Sequence, residues 1–215
     1  MALALLHTSP VHVPVFDALR DAHHPGFPLR HVVREELLAG AAARGPEAVA
    51  GEVTALVAEL AAGGAAAVLC TCSTIGAVAE AAGSALAVPV LRVDRPMAAA
   101  AVRLGRVTVL ATLASTLAPT RALLAEEARA AGLPGGDVRT VLVEGAWERF
   151  AAGDHDGCLD LVAAAADAVT GADVIVLAQG SMAAATARTT TALPVLSSPR
   201  PGLAAAVAAA TRAAR

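Results

Sequence analysis

One stretch of this chain occurs twice, and that repetition limits the folds open to it more than any other feature. Val68-Leu69-Cys70-Thr71-Cys72-Ser73-Thr74 recurs in outline as Val176-Leu177-Ala178-Gln179-Gly180-Ser181-Met182. Each copy is followed by a short helical stretch and then by Pro-Val-Leu, at Pro89-Val90-Leu91 and at Pro194-Val195-Leu196. The openings of the two halves correspond as well, since Leu5-Leu6-His7-Thr8-Ser9 resembles Val109-Leu110-Ala111-Thr112-Leu113. In this alignment Cys72 stands against Gly180 and Thr8 against Thr112. A duplicated half predicts two lobes of the same topology, related by a pseudo-twofold axis.

The pattern within each half identifies the topology. Strand-like runs fall at 2–7, 29–34, 65–71, 88–93, 107–112, 138–143, 173–178 and 194–197. Several are continuously apolar, as strands covered on both faces must be. Helix-like stretches lie between them at 11–22, 46–62, 75–82, 117–131, 155–170, 182–189 and 202–212. This alternation predicts an α/β fold whose two lobes each hold a four-stranded, mainly parallel sheet flanked by helices. The first lobe is assigned to residues 1–96 and the second to 97–215, with the last helix free to pack back on the first lobe. Ligands of open α/β sheets bind beyond the carboxyl ends of the strands. The loops at 7–10, 72–76, 112–116 and 180–183 are therefore expected to line one cleft.

Composition excludes several chemistries. The chain has 215 residues and a formal net charge of −3, so no basic surplus is available to neutralise phosphates and a nucleic-acid partner is not expected. There is no lysine, which rules out a pyridoxal Schiff base and a P-loop lysine. Hydrophobic residues make up 56% of the chain but aromatics only 2%, so the core must be built from Ala, Val and Leu. Charges interrupt the Ala-rich stretches, and no run reads as a membrane span of ~20 apolar residues. The three cysteines are Cys70, Cys72 and Cys158, too few for a disulfide framework and without zinc spacing. The histidines show no metal spacing either, so no metal is expected. Met1 to Leu6 is too short for a signal h-region, and a reducing cytoplasm is the expected location.

The Cys72-Ser73-Thr74 motif, the strand and loop at 175–181, and Leu110-Ala111-Thr112 with Ser115-Thr116 together resemble the aspartate/glutamate racemase superfamily. That superfamily includes hydantoin racemases, maleate isomerases and arylmalonate decarboxylases. The resemblance covers essentially the whole chain. It implies a cofactor-independent enzyme in which two cysteines flank the α-carbon of a small carboxylate. One removes a proton and the other returns one from the opposite face. Here the second family cysteine falls at Gly180, and neither Gln179 nor Ser181 replaces it.

Cys72 is thus the expected acid/base. It lies where a strand ends and a helix begins, and thiols at helix N-termini are more readily deprotonated. Backbone N–H groups of such a turn hold carboxylates. Thr8, Ser9, Ser73, Thr74, Thr112, Ser115, Thr116, Gln179, Gly180 and Ser181 are the expected substrate contacts, their donors stabilising an enediolate. Ser9 and Thr8 could instead cap the first helix. Cys70 and Cys158 read as core thiols, and His7 as a polar strand end rather than a general base. Glu144 and His155 are candidates to assist in place of the missing thiol. The leading reading is an isomerase. Its rivals are a one-cysteine decarboxylase or lyase, a cis–trans isomerase, and a small-acid binding protein without turnover. Oligomeric state is open, with a homo-oligomer among the options.

Overall fold

The computed structural model describes residues 2–134 and 136–213. The chain divides into two compact units, one running to Asp94 and resuming at Pro199, the other spanning Arg95–Ser198. The first holds β1 (Ala2–His7), α1 (His12–His23), β2 (Leu29–Val33), α2 (Glu35–Arg44), α3 (Ala50–Ala62), β3 (Ala65–Cys70), α4 (Gly76–Gly83) and β4 (Val90–Arg92). The second holds α5 (Arg95–Ala101), β5 (Val107–Ala111), α6 (Leu117–Ala130), β6 (Val138–Leu142), α7 (Ala146–Ala151), α8 (His155–Asp167), β7 (Val174–Leu177) and β8 (Val195–Ser197). The terminal helix α9 (Pro199–Ala213) joins the first unit.

The sheets share one topology. Strand order is β2-β1-β3-β4 in the first unit and β6-β5-β7-β8 in the second, with every described pairing parallel. Side chains alternate between faces along a strand, and both faces of each sheet are covered. In the first unit Ala4, Leu6, Val68 and Cys70 meet α2, α3 and α4. Leu3, Leu5, Ala67 and Leu69 meet Phe16 of α1 and Leu203, Ala206 and Ala210 of α9. In the second, Val109, Ala111, Val174 and Val176 pack on α5 and α6, while Leu110, Ile175 and Leu177 pack on α8. This two-sided burial explains why β3 and β7 are apolar at every position.

The ladder also fixes how the halves correspond. Leu6 pairs with Cys70 in one sheet and Leu110 with Leu177 in the other. One residue further on, Thr71 N–H donates to Leu6 O and Ala178 N–H donates to Leu110 O, each at 2.9 Å. Thr71 therefore corresponds to Ala178, and Cys72 to Gln179. The alignment of Val68 with Val176 is one residue off: the structural counterpart of Val68 is Ile175, since Val68 N–H donates to Pro89 O and Ile175 N–H donates to Pro194 O, each at 2.9 Å. An unbroken apolar run carries no mark of register, so matching Val-Leu to Val-Leu shifts it by one.

Three helices escape the periodicity: α2, α5 and α7. α2 has Glu35 and Glu36 in its first turn and Arg44 in its last, favourable for the helix dipole. It follows β2 with only Arg34 between, so no turn signal separates them. Its Gly40 allows close approach, since a Cβ there would lie 2.8 Å from Val49 Cγ1. The helix expected at 182–189 is instead a 3-10 stretch, Gly180–Ala187.

The seating of α9 depends on Gly202, where a Cβ would lie 2.3 Å from the Val93 carbonyl oxygen. Gly202→Ala is expected to lower unfolding stability by about 1–3 kcal/mol. Gly51 of α3 has nothing within 4 Å of the same position, and Gly51→Ala should gain about 0.5–1 kcal/mol. Urea unfolding of both variants measures the two signs, and equal shifts would contradict this account of α9.

Candidate functional site

Because β1 and β3 are adjacent and parallel, the chain leaves both at the same end of the sheet, bringing the segments from His7 and from Thr71 together. Cys72 is half-buried, whereas Cys70 and Cys158 are buried. Beside it in sequence, Ser73 and Thr74 are buried, as is Thr8 at the end of β1. The turn Ser73–Ile75 separates Cys72 from α4, which begins at Gly76. The thiol thus precedes the helix by a turn rather than capping it. Neither Thr8 nor Ser9 caps α1: the cap position is Val11, and it makes no side-chain cap bond.

Three buried groups grip the segment around Cys72. The Cys70 thiol donates to Cys72 O at 3.6 Å. Burial pushes that thiol up, with neighbouring Cys72 and Asp94 adding to the effect, so Cys70 remains a protonated donor. Arg92 forms a fully buried two-point pair with Asp94, Nε to Oδ1 at 2.7 Å and Nη2 to Oδ2 at 3.0 Å, and its Nη2 also donates to Ser73 O at 3.5 Å. Removing one member of such a pair leaves an uncompensated buried charge, typically costing about 3–5 kcal/mol. The Arg-Val-Asp spacing at the end of an apolar strand was the sequence signal for this pair, and the expectations above passed over it.

The third grip is a chain of polar groups. Thr71 Oγ1 donates to Leu6 O at 3.1 Å and therefore accepts from His7 Nδ1 at 2.8 Å. This assigns the hydrogen to Nδ1 and leaves His7 Nε2 to accept from His31 Nδ1 at 2.8 Å. His31 Nε2 faces Asp17 Oδ1 at 3.4 Å. Both nitrogens of His7 are thus engaged within the protein, which agrees with its reading as a strand end.

The second unit presents different chemistry at the same place. Gln179 Oε1 accepts from Thr112 N at 2.7 Å, Thr112 Oγ1 at 3.1 Å and Leu113 N at 3.1 Å. The Thr112 hydroxyl, expected to contact the substrate, thus meets Gln179 together with the N–H groups of Thr112 and Leu113. The three bonds also fix the orientation of the amide, directing its NH2 away from Thr112. Thr116 is buried and its carbonyl accepts from Thr120 Oγ1 at 2.9 Å. Ser115 Oγ is buried and has no partner among the described residues. Gly180 and Ser181 open the 3-10 stretch, so the helix start expected to form a second anion site is not α-helical. Glu144 is exposed. His155 packs its ring on Phe150 at 4.9 Å.

The Asp/Glu/Hydantoin racemase family model matches residues 12–213. The chain belongs to that family. Its fold is shared with solved racemase-family structures. A glutamate racemase isoform from Bacillus anthracis is 18% identical with a TM-score of 0.71, covering 98% of this chain and 82% of that one. A glutamate racemase from Francisella tularensis in complex with D-glutamate is 11% identical with a TM-score of 0.76, covering 98% and 81%. An arylmalonate decarboxylase is 19% identical with a TM-score of 0.61, covering 98% and 92%. No curated protein sequence matches significantly. Among the described residues of this racemase-family chain, no group of three or more His, Cys, Asp and Glu is disposed to hold a metal ion. No described helix is long and apolar enough to cross a membrane.

His7 makes stability depend on pH. Burial, then the neighbouring His31 and His12, lower its pKa from 6.5 to about 3. The folded state therefore holds His7 neutral where the unfolded chain would bind a proton. The resulting stability is complete above pH 6.5 and is lost as pH falls from 6.5 toward 3, by roughly 1.4 kcal/mol per pH unit at most. Between pH 6.5 and 5, above the main carboxylate titrations, stability of the native protein should fall more steeply than that of His7→Gln. Urea midpoints across that range provide the comparison, and parallel slopes would refute the assignment.

Proposed function

We propose that this protein is a cofactor-independent enzyme acting at the carbon next to the carboxylate of a small acid, with Cys72 as acid/base. The observation that carries the reading is the setting of Cys72. It is the half-buried cysteine of the three, on a loop tied down by Cys70 and Arg92, next in sequence to Ser73 and Thr74 and at the same sheet end as Thr8. In the isomerase reading, the Cys72 thiolate takes the α-proton, the C–H electron pair moves into the carboxylate as an enediolate, and a proton returns to carbon. Thr8, Ser9, Ser73 and Thr74 donate to the carboxylate oxygens. Thr112, Ser115, Thr116, Gln179, Gly180 and Ser181 are the candidate contacts carried by the second unit, where the Gln179 amide NH2 is directed away from Thr112. An amino acid or a derivative of one is the substrate class this family membership favours. The free thiols support a reducing, cytoplasmic setting.

A second reading is a one-thiol decarboxylase, favoured by Gln179 at the position corresponding to Cys72. An amide does not exchange protons with carbon at neutral pH. Decarboxylation needs only one proton delivered, because loss of CO2 leaves its bonding electrons in the enediolate and Cys72 then protonates the carbon.

Incubation with small acids in deuterated water distinguishes the readings: α-deuteration marks the isomerase and CO2 release the decarboxylase. In either case Cys72→Ala should lose about 100- to 10,000-fold in turnover. Cys158→Ala, folded to the same extent, should retain most of it. Full activity in Cys72→Ala would remove the thiol from the mechanism. Gln179→Cys supplies a thiol at the corresponding position and is expected to raise racemisation over the native rate, as read by chiral chromatography of the product.

A further inference from the structure

We propose that the polar chain of Asp17, His31, His7 and Thr71, buried at His7 and Thr71, is a positioning device for the Cys72 loop, so that the two halves of the duplication are specialised, one with a loop held for chemistry and the other without. The inference rests on the reading of Cys72 as the acid/base and adds residues that the family resemblance did not supply. Thr71 immediately precedes Cys72, and its hydroxyl is fixed from two sides: it accepts from His7 Nδ1 at 2.8 Å and donates to Leu6 O at 3.1 Å. These bonds tie the end of β3 to the end of β1 at the last residue before the thiol. His7 cannot rotate away without losing His31 at 2.8 Å on its other nitrogen, and its ring is packed against Phe16 at 5.5 Å. His31 is held in turn toward Asp17 at 3.4 Å. The chain therefore runs from the half-exposed carboxylate of Asp17 to the peptide that carries Cys72.

The second half provides an internal comparison. The strand register places Ala111 opposite the role of His7, Ala178 opposite Thr71 and Thr140 opposite His31. Two alanines cannot build this chain, although the sheet, strand order and ladder bonds are the same. The polar chain is therefore not a requirement of the fold. Its presence only beneath the cysteine-bearing loop points to a function of that loop. His7 acts through Thr71 and does not touch substrate in this scheme, which makes both of them positioning residues.

Thr71 is the place to test this, because replacing His7 leaves a buried void. Thr71→Val keeps the side-chain shape and removes the hydroxyl, and Thr71→Ser keeps the hydroxyl. Backbone hydrogen exchange of the full chain, read by mass spectrometry over residues 71–75, reports the loop without any substrate. Thr71→Val should accelerate exchange there about tenfold, the change in open population that accompanies an unpaired buried donor. Thr71→Ser should match the native protein, and peptides of the second unit should not change. With the acid identified by the deuterium assay, kcat should fall in Thr71→Val with KM little altered, and Thr71→Ser should restore it. Three outcomes would overturn the proposal: unchanged exchange at 71–75 in Thr71→Val, acceleration spread evenly over β1 to β4, or loosening of the loop with no change in kcat. Full turnover in Cys72→Ala would instead remove the acid/base reading alone, and the exchange result would still decide whether Thr71 holds the loop.

Discussion

Everything in this structure follows from sheets that are buried on both faces. A parallel strand between two helical layers can carry no polar side chain along its length unless a partner is buried with it. Polar chemistry is thereby pushed to the strand ends, where the chain leaves the sheet. The low aromatic content fits the same constraint, since Ala, Val and Leu allow helices to lie close over the strands. Two of the polar sets that do enter the layer are internally paired: Arg92 with Asp94, and His7 with Thr71 and His31.

The duplication separates what the architecture needs from what a site needs. Both units keep the strand order, the two-sided apolar packing and the ladder bond at the end of the central pair. They differ at three positions at the ends of the central strands. His7, Thr71 and Cys72 correspond to Ala111, Ala178 and Gln179. In the second unit the glutamine carbonyl satisfies the backbone N–H groups of Thr112 and Leu113, so that loop carries its own acceptor. The two loops are variations on one backbone, and the side chain at one position decides whether the loop presents a thiol or an amide.

Much of this was legible in the amino-acid order. The alternation of apolar runs with helical stretches identified the strands, and the repeat identified two sheets of four. The Cys72-Ser73-Thr74 motif identified the loop. What escaped notice did so for definite reasons. α2 follows its strand with no glycine or proline to mark the boundary, and α7 is a helix of 6 residues, too short to show a period. The register slip between Val68 and Val176 arose where neighbouring residues are all apolar. The polar chain is spread over positions 7, 17, 31 and 71, and only the pairing of β1 with both β2 and β3 brings those positions together. Similarly, nothing local in the sequence shows that Gln179 reaches back to Thr112.

The placement of α9 affects how the molecule is made. Its Leu203, Ala206 and Ala210 cover the face of Leu3, Leu5 and Leu69, yet the whole of Arg95–Ser198 is synthesised between them. On the ribosome, the unit begun first is therefore the unit finished last. One apolar face of its sheet must wait, uncovered by its helix, while the second unit emerges as an uninterrupted segment able to fold as it appears. Closure of the half that carries Cys72 thus waits for α9 to emerge, and until then the thiol loop sits on a sheet with one face covered by α1 alone.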